Sequence, residues 1–337
     1  RLEGHSVDAL SPGDRALALQ AGFAPADIPI ISYNVAAGEM GFAVSRSSLV
    51  SVDSLSQLQT YGEACPGTSV AVRLNPGVGA GHSQKVITGG KSKFGIMLSE
   101  IPAILQLAGR YGLRIAGVNQ HIGSLFLEGA EYLAAAETLL KAALQFPALS
   151  FVDLGGGFGV PYGEEERLNL EELRPPLARL VRQYLAAAGR QDICIKTEPG
   201  RYVVAECGTL LGRVLSRKQN YGETYIGTDL GFNVLMRPVL YDSYHELYVY
   251  AASGQTEEAT VVGNICESGD ILAKSRRLPK AEPGDILAAE VAGAYGYCMS
   301  SNYTCRLRPA EVLLAQNGGH RLIRRRDTWE DLLRQFV

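Results

Sequence analysis

The first 200 residues alternate short β-branched apolar runs with longer stretches whose apolar residues recur every three or four positions. That alternation predicts βα units and a parallel sheet. Seven strands are expected, at Ser6–Leu10, Ile28–Ser32, Leu49–Asp53, Ser69–Asn75, Arg114–His121, Leu149–Gly155 and Ile193–Glu198. Helical patterns lie between them, at Glu100–Tyr111, Glu131–Leu144 and Glu171–Ala188. Seven units are one short of a closed (β/α)8 barrel, so the first unit is expected upstream of Arg1. An open doubly wound sheet is the competing architecture. After Arg201 the texture changes to strands with few helices: Thr209–Ser216, Glu223–Thr228, Glu246–Tyr250, Ala259–Val262, Asp285–Ala292 and Ala310–Ala315. Gly, Pro and Asn punctuate them. Asp327-Thr328 is a cap signal for a last helix, Trp329–Phe336. Two domains are expected, a barrel over residues 1–202 and a β domain over residues 203–337.

Composition narrows the function. The chain has 337 residues, 46% hydrophobic and 20% charged, which suits two well-filled cores. A formal charge of −3 offers no basic field for nucleic acid. No apolar run reaches the ~18 residues of a membrane span, and the start carries no signal-peptide pattern. Six scattered cysteines without CxxC spacing indicate neither a zinc site nor a disulfide framework, and free thiols suit a reducing cytoplasm.

The unusual residues fall at the C-terminal ends of predicted strands, the face on which barrels carry their active sites. His121 ends one strand, Gly155-Gly156-Gly157 follows another, and Glu198-Pro199-Gly200-Arg201 closes a third. Three glycines let backbone N–H groups approach phosphate oxygens; a tight turn is the plainer reading. A lone His121 is ordinarily a core histidine, and a lone Glu198 a loop residue or a partner of Arg201. There is no paired-carboxylate glycosidase pattern, no GxSxG elbow and no HExxH helix.

Taken in order, the motifs resemble the fold-type III pyridoxal-phosphate decarboxylases of amino acids, most closely the diaminopimelate decarboxylases. They are Val7-Asp8-Ala9-Leu10-Ser11, Val52-Asp53-Ser54, Arg73-Leu74-Asn75-Pro76-Gly77, Ser92-Lys93-Phe94-Gly95, His121-Ile122-Gly123-Ser124, the stretch from Asp153 to Gly159, and Glu198-Pro199-Gly200-Arg201. Arg237-Pro238 with Tyr241, Cys266-Glu267-Ser268-Gly269-Asp270, Gly293-Ala294-Tyr295-Gly296-Tyr297 and Leu322-Ile323-Arg324-Arg325-Arg326 continue the series.

The resemblance implies an alanine-racemase-like (β/α)8 barrel followed by a C-terminal β domain. It also implies pyridoxal 5'-phosphate as cofactor, no metal, and a cytoplasmic homodimer with shared active sites. His121 would stack on the cofactor ring and Glu198 would pair with its pyridine nitrogen, with Asp8 in support. Gly155, Gly156, Gly157, Ser124 and Tyr295 would hold the phosphate. Arg201, Arg237 and Tyr241 would grip a distal carboxylate that survives the reaction. Cys266 would donate a proton to Cα, and Glu267 would bind the distal amine, both in the neighbouring subunit's site. The implied reaction is conversion of meso-2,6-diaminopimelate to L-lysine and CO2. Relatives acting on ornithine, arginine, carboxynorspermidine or a carrier-bound amino acid, and a non-catalytic pyridoxal-phosphate-binding homologue, are the alternatives. Two features depart from the pattern. None of the eight lysines stands in the family's cofactor-lysine context, so that lysine is expected upstream of Arg1. Leu125, Thr304, Cys305 and Leu307 replace the residues common at their positions.

Overall fold

The computed structural model describes residues 5–31 and 33–337. The expectations at Arg1–Gly4 and at Ser32 lie outside the described residues. The chain divides into two compact units, Arg1–Gly159 with Arg167–Pro199, and Val160–Glu166 with Gly200–Val337.

The first unit is a parallel sheet with helices between its strands. The strands are β1 (Ile30–Ile31), β2 (Val50–Val52), β3 (Ser69–Asn75), β4 (Ile96–Met97), β5 (Arg114–Asn119), β6 (Phe151–Gly156) and β7 (Cys194–Glu198). They order as β1-β2-β3-β5-β6-β7, with β4 added alongside the end of β3. Before β1, the segment expected at Ser6–Leu10 makes a single parallel rung, Ala9 to Ile30. The lanes follow chain order without reversal. A doubly wound sheet must reverse its strand order at a switch point, so the barrel-type array is the one formed. The interiors of β3, β5 and β6 are buried along their length, as strands covered on both faces must be. β4 escaped the sequence reading because it is only two residues long.

Helices α1 (Pro12–Gln20), α2 (Ala37–Ser45), α3 (Leu55–Ala64), α4 (Ile101–Tyr111), α5 (Ala130–Ala143) and α6 (Leu170–Val181) connect the strands. Ser54 caps α3 by accepting from the Gln57 N–H at 3.2 Å. Gly112, with φ 66°, ends α4. α5 buries Tyr132, Ala135, Ala136, Leu139, Leu140 and Ala143, the stripe that its apolar spacing predicts. The helix expected over Glu171–Ala188 changes at Arg182 to a single wider turn, Arg182–Ala186.

The second unit holds a six-stranded sheet ordered β10-β13-β8-β9-β11-β12. Its strands are β8 (Leu210–Asn220), β9 (Glu223–Thr228), β10 (Leu247–Tyr250), β11 (Thr256–Val262), β12 (Ile271–Pro279) and β13 (Ile286–Ala289). A separate hairpin pairs β14 (Glu311–Leu314) with β15 (His320–Arg324). Val214, Ile226, Leu235, Val261 and Leu287 centre the core. Tyr221 and Gly222, with φ 51° and 88°, make the two-residue β8–β9 turn, whose hand matches the strand twist. β12 and β15 were not read from sequence: Lys274, Arg276 and Arg277 interrupt the first, Arg321 and Arg324 the second, and all of β15 is exposed. Short helices α7 (Gly200–Val204), α8 (Arg237–Tyr241) and α9 (Trp329–Leu333) complete the unit, the last capped by Thr328.

Candidate active site

Two groups of side chains, one in each unit, carry chemistry. In the first unit Asp8 precedes the Ala9 rung, Asp153 sits on β6 and Glu198 ends β7. Their carboxylate oxygens lie within 4.8 Å of one another. Three negative charges so close together repel one another, and each favours taking up a proton. Burial raises the proton affinity of each, and the Asp153 and Asp8 charges push Glu198 well above the ordinary carboxylate range. Lys196, level with Asp153 across β6 and β7, and Arg73 on β3 partly offset the crowding.

His121 follows β5 with its Nδ1 3.7 Å from Glu198 Oε2. The pair is not an ion pair at neutral pH, because burial and Arg73 push the imidazole down to about 4. The ring's Nδ1 accepts the Gly156 N–H at 3.2 Å, which leaves its proton on Nε2. Arg73 is held by Tyr33, with its Nη2 donating to the His121 carbonyl at 3.2 Å and its guanidinium carbon 4.7 Å from the Phe94 ring centroid.

The glycine run answers first to packing. A Cβ on Gly155 would lie 2.3 Å from the Gln120 carbonyl oxygen, and one on Gly156 would lie 1.7 Å from that of Glu198. The Gly155 N–H donates to Asp153 Oδ1 at 2.9 Å, and the Gly156 N–H goes to His121. Two of the three amides expected to face a phosphate therefore have internal acceptors. Ser124 precedes Leu125, whose φ of 61° is left-handed and unusual for a branched residue.

In the second unit Arg201 and Arg237 are both buried, at 6% and 1% exposure. Arg201 Nη1 donates to the Tyr162 hydroxyl at 2.7 Å, and its guanidinium lies 4.4 Å from the Tyr295 ring centroid. Arg237 lies 4.0 Å over the Tyr162 ring and hydrogen-bonds His245 Nε2 through Nη1 at 2.8 Å. Burial, with Arg201 beside it, lowers Arg237 to about 10, so it stays charged at neutral pH. Its Nε and Nη2 are buried without a hydrogen-bond partner among the described residues. A buried guanidinium with an open edge is built to receive an anion. Tyr241 ends the α8 turn that Arg237 begins, and its hydroxyl acts electrostatically on that arginine.

Cys266 and Glu267 sit in the loop after β11. Buried Asp270 shapes that loop by accepting the Ile265 and Phe232 N–H groups, both at 2.7 Å. Cys266 is exposed, and Glu267 Oε1 accepts the Tyr303 hydroxyl at 2.7 Å.

Residues 1–205 match the family model described as pyridoxal-dependent decarboxylase, pyridoxal binding domain. The chain belongs to the pyridoxal-dependent decarboxylases. It is 42% identical to the diaminopimelate decarboxylase of Methanothermobacter thermautotrophicus over 98% of this chain and 79% of that protein. With the Escherichia coli K12 diaminopimelate decarboxylase it shares 37% identity, over 99% of this chain and 83% of the relative. The crystal structure of the Helicobacter pylori diaminopimelate decarboxylase complexed with L-lysine superposes with a TM-score of 0.89, at 32% identity, covering 98% of this chain and 83% of that one.

The cofactor of this decarboxylase is pyridoxal 5'-phosphate, and residues of the first unit suit it. Glu198 is a carboxyl group of raised proton affinity, the property needed to share a proton with a pyridine nitrogen. His121 is a neutral imidazole beside it, fit to lie against an aromatic ring without adding charge. Sequence reasoning missed Arg73 and Lys196 as groups acting on the acidic trio, and Tyr162 and His245 as the frame of Arg237. Tyr162 carried only a faint signal, in Val160-Pro161-Tyr162 just after the glycine run, and His245 carried none.

Proposed function

We propose that this pyridoxal-dependent decarboxylase converts meso-2,6-diaminopimelate to L-lysine and CO2, in the cytoplasm and as part of lysine biosynthesis. The observation that carries the reading is the buried, half-open fork of Arg237 with the second buried arginine close by. A decarboxylase for a simple diamine precursor handles one carboxylate, and that one leaves. Two buried arginines suit a second carboxylate that stays. The relatives named for diaminopimelate and the lysine-bound neighbour support the same choice.

Pyridoxal phosphate supplies the electron sink for the pair released when the bond from Cα to the departing carboxylate breaks. Around it, Glu198 would share the pyridine proton, supported by Asp8, and His121 would lie against the ring. The glycine run Gly155-Gly156-Gly157, with Gly157 the one whose N–H is not already turned to His121 or Asp153, would hold the phosphate together with the Ser124 and Tyr295 hydroxyls. Arg201, Arg237 and Tyr241 bind the distal carboxylate. Cys266 returns a proton to Cα after CO2 departs, and Glu267 takes the distal amine. In this reading residues 1–202 form the cofactor-binding domain, and residues 203–337 reach into the site of a partner subunit in a homodimer. Comparing CO2 release from diaminopimelate, ornithine, lysine and arginine tests the substrate; faster turnover of ornithine or lysine overturns it. Activity recovered on mixing Cys266→Ala subunits with Glu198→Ala subunits tests the shared site.

A further inference from the structure

We infer that His245 is a positioning residue for Arg237, whose hydrogen bond to the guanidinium keeps the carboxylate-binding edge open. This rests on the reading of Arg237 given above. Of the three guanidinium nitrogens of Arg237, only Nη1 has a hydrogen-bond partner among the described residues, His245 Nε2 at 2.8 Å. The other two, Nε and Nη2, share one edge of the planar fork, the edge that meets a carboxylate with two parallel hydrogen bonds. Were Nη1 unpartnered, the group could rotate or withdraw to satisfy it, and the Nε–Nη2 edge would lose its aim.

The imidazole can accept from an arginine only in one form. Its Nδ1 faces the Glu290 carbonyl at 2.8 Å, which only accepts, so Nδ1 must carry the proton and Nε2 must keep its lone pair. A second proton on Nε2 would set two cations 2.8 Å apart in a site where His245 is 1% exposed. The groups around the ring all disfavour that proton or are neutral. Arg237 and Arg201 are nearby cations that disfavour it, and Arg276 Nη2 donates to the His245 carbonyl at 3.4 Å. Tyr162 meets the ring edge-on with centroids 5.1 Å apart. Burial is the main cause that brings the imidazole down to about 4, so the acceptor form holds through the neutral range. Tyr162 completes the frame, with its face against Arg237 and its hydroxyl accepting from Arg201.

The test compares His245→Phe, which keeps a ring and loses the acceptor, with His245→Gln, whose Oε1 reaches about as far as Nε2. Both are made in the cofactor-loaded protein, and unchanged cofactor absorbance serves as the check on folding. The probes are L-lysine, which carries the retained carboxylate, and cadaverine, which lacks it. Calorimetry should show lysine binding weakened roughly 10- to 100-fold in His245→Phe, mostly restored in His245→Gln, with cadaverine binding unchanged in both. The KM for diaminopimelate should rise by a similar factor with kcat changed far less. Equal lysine affinity in His245→Phe and wild type overturns the inference, as does His245→Gln binding as poorly as His245→Phe. Arg237→Ala separates the two levels. If it leaves lysine binding intact, the reading of Arg237 itself fails; if it abolishes binding while His245→Phe binds lysine as tightly as wild type, only the role of His245 fails. Should His245→Phe not fold, nitrogen NMR of wild-type protein decides: the Nδ1–H tautomer at pH 7 is expected, and the Nε2–H tautomer or a doubly protonated ring overturns it.

Discussion

The acidic trio of the first unit and the arginine pair of the second are both crowds of like charge in poorly hydrated surroundings, and they relieve the crowding in opposite ways. Carboxyl groups can take up a proton. Asp8, Asp153 and Glu198 all shift in that direction, so the first cluster has a raised affinity for a proton next to where a pyridine ring is expected to bind. Guanidinium groups cannot discharge near neutrality. Arg237 drops only to about 10, stays charged, and is left with two buried nitrogens unsatisfied. The second cluster therefore keeps a buried positive charge that can pair with an anion. In the proposed reading the first cluster handles a proton and the second binds the substrate, and the difference follows from the proton affinity of the two side-chain types.

The sharpest way to break this comparison is Arg237→Ala. Losing the fork leaves a buried carboxylate poorly paired at about 3–5 kcal/mol, so kcat/KM for diaminopimelate should fall on the order of 100-fold or more. Turnover of a substrate without the distal carboxylate should barely change. Steady-state kinetics on both substrates checks this, and equal losses would remove the second cluster's claim to measure that carboxylate.

The counterpart in the first unit is Glu198→Gln. An amide cannot share the ring nitrogen's proton, and kcat should drop on the order of 100-fold with cofactor saturating. The cofactor-free protein offers a second measurement. Glu198 is raised in the folded state, so it favours folding below its ordinary range, and that contribution is lost as pH rises through the folded value. Glu198→Gln should therefore flatten the decline of stability from pH 5 upward in denaturant titrations. An unchanged slope would mean that the trio holds no proton at Glu198.

His245 has the opposite sign. Its folded value is about 4 against 6.5, so the unfolded chain binds more protons between those limits and stability rises with pH across that window. Relative to wild type, His245→Gln should recover about 1–3 kcal/mol of unfolding free energy on going from pH 7 to pH 4. The smallest expected effect belongs to a control that touches neither cluster. Tyr221 is fully exposed with φ 51°, and Tyr221→Asn would place Asn-Gly in the β8–β9 turn. A gain of roughly 0.5–1 kcal/mol in the stability of the second unit is expected, with kinetics unchanged.

The strands of the first unit were legible because burial on both faces forces continuous β-branched runs, and Ser69–Asn75 matches residue for residue. Legibility failed where an element owes its existence to a neighbour. β4 is two residues laid beside the end of β3, and Ser6–Leu10 shrinks to the Ala9 rung. β12 pairs with β11 although Lys274, Arg276 and Arg277 break any apolar alternation. In the sites, His121, Glu198, Arg201 and Arg237 stood out through motifs in order and Asp153 opened one without a role of its own, whereas Lys196, Tyr162 and His245 did not stand out.

By itself, the sequence determined the class of architecture, the cofactor chemistry and the identity of the charged groups, because periodicity and ordered motifs are local properties of the chain. Only the tertiary structure decided how those groups are loaded. The 4.8 Å crowding of Asp8, Asp153 and Glu198 depends on the segment before the Ala9 rung meeting β6 and the end of β7 in space. The aim of Arg237 depends on a tyrosine 75 positions before it and a histidine 8 positions after it. Proton affinity and hydrogen-bond direction are set by what surrounds a group in space, and no pattern along the chain records that.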